Sequence, residues 1–184
     1  MRLHQIKVTL ADIRPPIWRR LLLSPEITLG KLHRIVQTAM GWGNCHLHRF
    51  LQDGREYSDP SFELEGVILD ERKVTLGAVL TQPGSRLVYE YDFGDVWQHE
   101  LLCEEIVESD GQTGPAICLD GTRECPPEDS GGPGAYCDLQ RILKDPKNRD
   151  YDEMREWVGD RFNPEAFNRE EINARLLREF RRKK

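Results

Sequence analysis

The chain has 184 residues, 38% of them apolar and 32% charged. That balance fits one sizeable folded domain with a wet surface and excludes a disordered chain. The net charge of −6 is uneven: residues 1–50 hold eight Lys/Arg against two Asp/Glu, residues 90–130 hold twelve Asp/Glu against Arg123 alone, and residues 174–184 hold six Lys/Arg against Glu179.

A basic start and tail suit an acidic partner, and the acidic middle attracts cations and repels phosphate. Equally, the two signs could neutralise each other inside one fold. No apolar run approaches the roughly 20 residues of a membrane helix. Residues 1–7 alternate instead of forming the apolar stretch of a secretory signal. A cytoplasmic location without membrane contact is therefore expected. The five cysteines include no short C-x-x-C pair, so they are expected as thiols or metal ligands.

In chain order, His4, Ile6, Val8 and Leu10 share one face of a predicted strand over 3–10. Pro15 and Pro16 break it, and residues 17–23 form its predicted antiparallel neighbour. Thr28 is a helix N-cap for 29–40, where Leu29, Leu32, Ile35, Val36, Ala39 and Met40 make one apolar stripe. Gly41 and Gly43 end that helix. Residues 46–52 read as a strand closed by the Asp53-Gly54 turn. Residues 55–72 carry little pattern and read as loop. Residues 75–80 form a helical turn. Residues 86–91 and 97–107 read as a hairpin around Asp92-Phe93-Gly94-Asp95. Residues 109–134, rich in Gly and Pro, read as a long loop, which in a compact domain is usually functional or disordered. Helices follow over 134–144, 150–158 and 169–181, the last opened by Asn168 with Glu171.

This order predicts an α+β fold: a mainly antiparallel sheet of about five strands, helices on one face, and a helical C-terminal segment. Residues 1–167 form the predicted core domain, including loop 109–134. Residues 168–184 form an amphipathic basic C-terminal helix.

Several segments together resemble the plasmid Orf-three-like family named after a pRiA-type plasmid. They are Ile13-Arg14-Pro15-Pro16-Ile17-Trp18-Arg19-Arg20, Met40-Gly41-Trp42 with Cys45-His46-Leu47-His48, and Tyr91-Asp92-Phe93-Gly94-Asp95 with Trp97 and His99. Cys118-Leu119-Asp120-Gly121, Cys125-Pro126-Pro127-Glu128-Asp129 and Gly131-Gly132-Pro133 complete the set, and the likeness runs from about residue 3 to about residue 167. It implies an α+β protein of bacteria and archaea, carried in some members on plasmids or beside transposable elements. It implies no particular reaction. Ser130 stands where relatives often carry Cys or Gly, which weakens a metal model needing a third thiol there.

His46 and His48 stand two apart on the predicted strand and leave the same face. With His99 and Asp95 they could converge on a divalent metal with an open coordination position. A hydrogen-bonded packing role is the competing reading of the same histidines. Trp18, Trp42, Asp92, Trp97, Cys118, Cys125, Glu128 and Asp129 are the expected lining of a pocket. In the 118–129 loop, Asp120, Glu124, Glu128 and Asp129 are hard ligands, but six residues between the thiols exceed the usual zinc-knuckle spacing.

Gly131-Gly132-Pro133-Gly134 before a helix could hold an anion, although the acidic neighbours oppose phosphate. No helix-turn-helix, zinc finger or RNP pattern appears, so nucleic acid is not favoured as partner. No G-x-S-x-G elbow exists, and strand neighbours Cys45 and His46 would point apart. The expected function is an intracellular binding or accessory domain with a protein partner among mobile-element products. The alternative is a metal-dependent, hydrolase-like enzyme built on the His/Asp cluster.

Overall fold

The computed structural model describes residues 2–109, 114 and 116–180. The basic tail at 181–184 and part of the Gly/Pro-rich loop lie outside the described residues. The strands are β1 (Arg2–Leu10), β2 (Trp18–Leu23), β3 (His48–Gln52), β4 (Arg55–Ser58), β5 (Ile68–Asp70), β6 (Arg86–Tyr91), β7 (Trp97–Glu108) and β8 (Ala116–Thr122). The helices are α1 (Leu29–Met40), α2 (Leu76–Val79), α3 (Gly132–Leu143), α4 (Tyr151–Val158) and α5 (Arg169–Glu179).

The strands form one sheet in the order β5-β4-β3-β6-β7-β1-β2-β8. Every neighbouring pair is antiparallel except β4 with β5, which is parallel. The α+β class holds, but the expected sheet of about five antiparallel strands is corrected to an eight-stranded mixed one. The additional strands lie where the chain reads as loop. β4 and β5 are short edge elements of four and three residues. β8 sits inside the Gly/Pro-rich stretch and ends through Gly121, where an added Cβ would stand 2.8 Å from the Trp18 carbonyl oxygen.

Period-two alternation sorts the strands into a covered and an open face. Ile6, Val8, Leu10, Leu21, Leu23, Phe50, Leu87, Tyr89, Tyr91, Trp97 and Leu101 are buried under the helices. α1 begins at Thr28, whose hydroxyl accepts from Lys31 N–H, and ends at a left-handed Gly41 that donates to Gln37 O. α5 adds Ile172 and Leu176 to the same core, and Asn173 bonds both backbone groups of Cys118 on β8. On the open face, Arg20 pairs with Glu104 and Arg49 with Glu90. The basic early strands thus meet acidic β6 and β7, so much of the charge asymmetry is neutralised within the sheet.

The core contains a buried polar layer. Gln37 Nε2 donates to Tyr89 Oη at 2.9 Å, and the Tyr89 hydroxyl stands 2.8 Å from His33 Nδ1. His33 Nε2 faces the Asn44 side-chain oxygen at 2.6 Å. That oxygen only accepts, so Nε2 carries the ring proton and Nδ1 accepts from Tyr89. The His33 ring stacks on His48 at 3.4 Å. Burial, then the neighbouring His48, pushes His33 down to about 3. Burial pushes His99 down to about 4.

Both rings are neutral in the fold, and both accept protons near pH 6.5 once unfolded. Their stabilising contribution is complete above about pH 6.5 and is lost as the pH falls towards about 4, at about 1.4 kcal/mol per unit for each ring. Urea midpoints at pH 7 and pH 5 should differ accordingly. A flat profile across that window would contradict the neutral-ring assignment.

Candidate metal centre

One end of the sheet gathers the start of β3, the end of β6, the start of β7 and the end of β8. The C-terminus of α1 arrives there too. His46 precedes β3 in a bend, and Asp92 follows β6. Asp129 comes from the connection between β8 and α3. His46 Nε2 stands 3.1 Å from Asp129 Oδ1, 3.7 Å from Asp92 Oδ2 and 3.9 Å from Glu128 Oε2. It is screened from solvent and makes no hydrogen bond. One donor atom from each of His46, Asp92 and Asp129 lies within 4.8 Å of the other two. Two ligands each about 2.0–2.2 Å from a shared ion stand roughly 3.0–3.5 Å apart. The His46–Asp129 separation falls in that span, and the His46–Asp92 separation is slightly wider.

Each carboxylate is set by its backbone. Asp92 adopts φ 59°, and its Oδ1 accepts from the N–H groups of Gly94 and Asp95, leaving Oδ2 towards His46. The turn's left-handed residues are Asp92 and Val96, and Gly94 is not among them. Asp129 also has a left-handed φ of 57°, and its side chain is 74% exposed. Glu128 Oε1 accepts from Gly43 N–H and from the Tyr91 hydroxyl. The Tyr91 oxygen in turn accepts from Cys45 N–H at 3.0 Å. Burial, and after it the Glu128 charge, raises the Tyr91 phenol and keeps it protonated as a donor. Trp42 stacks on Tyr91 and donates its indole N–H to Pro126 O at 2.8 Å.

The structure divides the sequence-derived candidates. It brings His46, Asp92, Glu128 and Asp129 together. His48 and His99 stand apart from them: His48 Nε2 pairs with buried Glu71 at 2.8 Å, and fully buried His99 donates from Nδ1 to Trp97 O. The same-face argument for residues 46 and 48 needs an extended chain at 46, but β3 starts at His48. Asp95 Oδ2 accepts from Gly131 N–H at 2.8 Å at the start of α3. The anion position of that Gly-rich turn is therefore taken by this chain's own carboxylate.

Trp97 is buried and Trp42 nearly so. Trp18 lies on the open face between Lys7 and Arg20. Cys118 and Cys125 are buried thiols, each pushed up to about 11 by burial. Sequence reasoning missed Tyr91 and Arg19 as positioning groups. Arg19 left a signal, since it occupies the same alternate positions of β2 as inward Leu21 and Leu23.

The arrangement defines a class: a single-sheet α+β protein with a His/carboxylate cluster at one end of the sheet. The chain belongs to the plasmid pRiA4b ORF-3-like protein family, whose model matches residues 2–171. It is 36% identical over 156 residues to the uncharacterized protein y4hQ of Sinorhizobium fredii, covering 84% of this chain and 80% of that one. Its fold is similar to the crystal structure of MM3350, a protein of unknown function from Methanosarcina mazei Go1. The TM-score is 0.83 at 30% identity, over 92% of this chain and 96% of that one. No helix among the described residues is long and apolar enough to cross a membrane.

Proposed function

We propose that the protein is a divalent-metal-dependent enzyme of hydrolase type, with its ion held by His46, Asp92 and Asp129. The observation that carries this reading is His46 Nε2, a solvent-screened atom without a hydrogen bond on a side chain 28% exposed, facing carboxylates from separate segments, the nearest at 3.1 Å. One imidazole with carboxylates suits a first-row divalent cation such as Mn²⁺ or Zn²⁺ better than Mg²⁺ or Ca²⁺. Such an ion polarises carbonyl oxygens and lowers the pKa of bound water.

Exposed Asp129 leaves the outer side open to a substrate. Glu128, oriented by Tyr91, is the group placed to accept a proton beside the ion. Val96, in the turn that carries Asp92, has a left-handed backbone. For β-branched Val96 that conformation is costly, and such strain tends to gather at functional sites.

Protein purified without a metal-affinity tag and dialysed against Mn²⁺ or Zn²⁺ should hold one ion per chain. His46→Ala and Asp129→Asn should each weaken binding by at least about tenfold. Failure of both ions to bind stoichiometrically would overturn the proposal. The second reading is an accessory domain that holds a protein partner. It is favoured by Leu177, 60% exposed on the outside of α5, and copurification from the native host tests it.

A further inference from the structure

Asp129 lines a second feature. With Ser130 at its edge, a cavity of about 310 Å³ runs between α3 and α4, floored by Leu139, Ile142, Met154 and Trp157. Trp157 is 48% exposed, an unusual placement for an indole unless it has something to cover. Among the described residues, Leu47 and Val96 are also large apolar side chains left in solvent. They are chain neighbours of His46 and of the 92–95 turn. The polar cluster is thus accompanied by exposed apolar groups, with the groove joined to it through Asp129.

Resting on the metal reading above, we propose that this groove is the specificity pocket of the site, and that the ligand is a neutral amide or ester bearing one apolar side chain. Size sets the first limit. A cavity near 310 Å³ is at the small end for ligands, about 300–1,000 Å³, so it holds one leucine- or phenylalanine-sized group and no extended chain. Charge sets the second. Asp92, Glu128 and Asp129 exceed the charge of one divalent ion by one unit, and Asp138 adds a further carboxylate at the groove. A phosphate dianion would be repelled there, whereas a carbonyl oxygen would not. The carbonyl group addresses the ion, and the apolar side chain enters between Leu139 and Trp157.

The test uses the full chain loaded with Mn²⁺ and two metal-binding probes, acetohydroxamate and N-acetyl-leucine hydroxamate, titrated by calorimetry. The leucine probe should bind about 10- to 100-fold more tightly, the worth of burying one such side chain. Trp157→Ser and Met154→Ser should bring the two probes within about threefold of each other while leaving acetohydroxamate unchanged, because neither residue touches the ion. Equal affinities in the unmodified protein, or a preference that survives both substitutions, would overturn the pocket while leaving the metal reading intact.

N-acetyl-leucinamide has no metal-binding head and reads the groove alone. A Trp157 fluorescence response to it that is lost in Met154→Ser, which keeps the reporter indole, supports the pocket even if Mn²⁺ fails to bind, in which case only the metal reading falls. Absence of any response to it in a protein that also binds no ion would remove both.

Discussion

Arg19→Met is expected to cost about 3–5 kcal/mol of folding stability. Arg19 is 3% exposed, and its guanidinium has five donors. Nε donates to Ala39 O at 3.0 Å; Nη1 donates to Trp18 O and Thr122 O; Nη2 donates to Arg123 O and the Cys125 thiol. No carboxylate pairs with it among these contacts. Its value is therefore geometric: one planar group joins the end of α1, the start of β2 and the exit from β8.

Methionine restores some transfer energy by removing a buried charge, but it leaves several carbonyls unpartnered, at about 1–3 kcal/mol each where water cannot reach. The second effect wins because it is repeated. Arg19→Lys should recover little, since an ammonium has three donors and no fork. Urea denaturation decides it. A loss below about 1 kcal/mol would mean that the freed carbonyls rehydrate.

Trp97→Ala should cost about 3–5 kcal/mol, as a large-to-small change in a packed core. The indole is 1% exposed. It packs 6.0 Å from the Trp42 ring and edge-on to Tyr136 at 6.4 Å. For a domain of this size each kcal/mol moves the melting temperature by about 2–4 °C. Thermal denaturation should therefore show a drop of roughly 6–20 °C. A shift under about 2 °C would show that Trp97 contributes little to the core.

Legibility followed the length and locality of each signal. β1, β2, α1 and the β6–β7 hairpin were readable because each carries several periods of its own pattern. α1 also had its cap residues at both ends. β5 is three residues long and lies parallel at an edge, too short for any periodicity. β8 alternates inward Ala116 and Cys118, but Pro and Gly on both sides masked it.

The site was readable as a set of residues and not as a grouping. His46, Asp92, Glu128 and Asp129 all stood out from the sequence. Which carboxylate stays available was decided by turn geometry: Asp95 is used by Gly131 and Asp92 Oδ2 is not. Asp129 reaches the histidine through tertiary closure, which no local pattern encodes.

That closure has a thermodynamic consequence. β8 and β6 lie four strand positions apart in the sheet, about 19 Å at the usual spacing. The segment from Arg123 to Asp129, which includes Pro126 and Pro127, carries Asp129 from the end of β8 to His46. An ion shared by His46 and Asp129 would tie the connection that follows edge strand β8 to the chain that enters interior strand β3, across more than eighty residues of chain. By mass action it would favour the folded ensemble by RT ln(1 + [ion]/Kd), making the resistance of the whole domain to unfolding a gauge of free ion concentration.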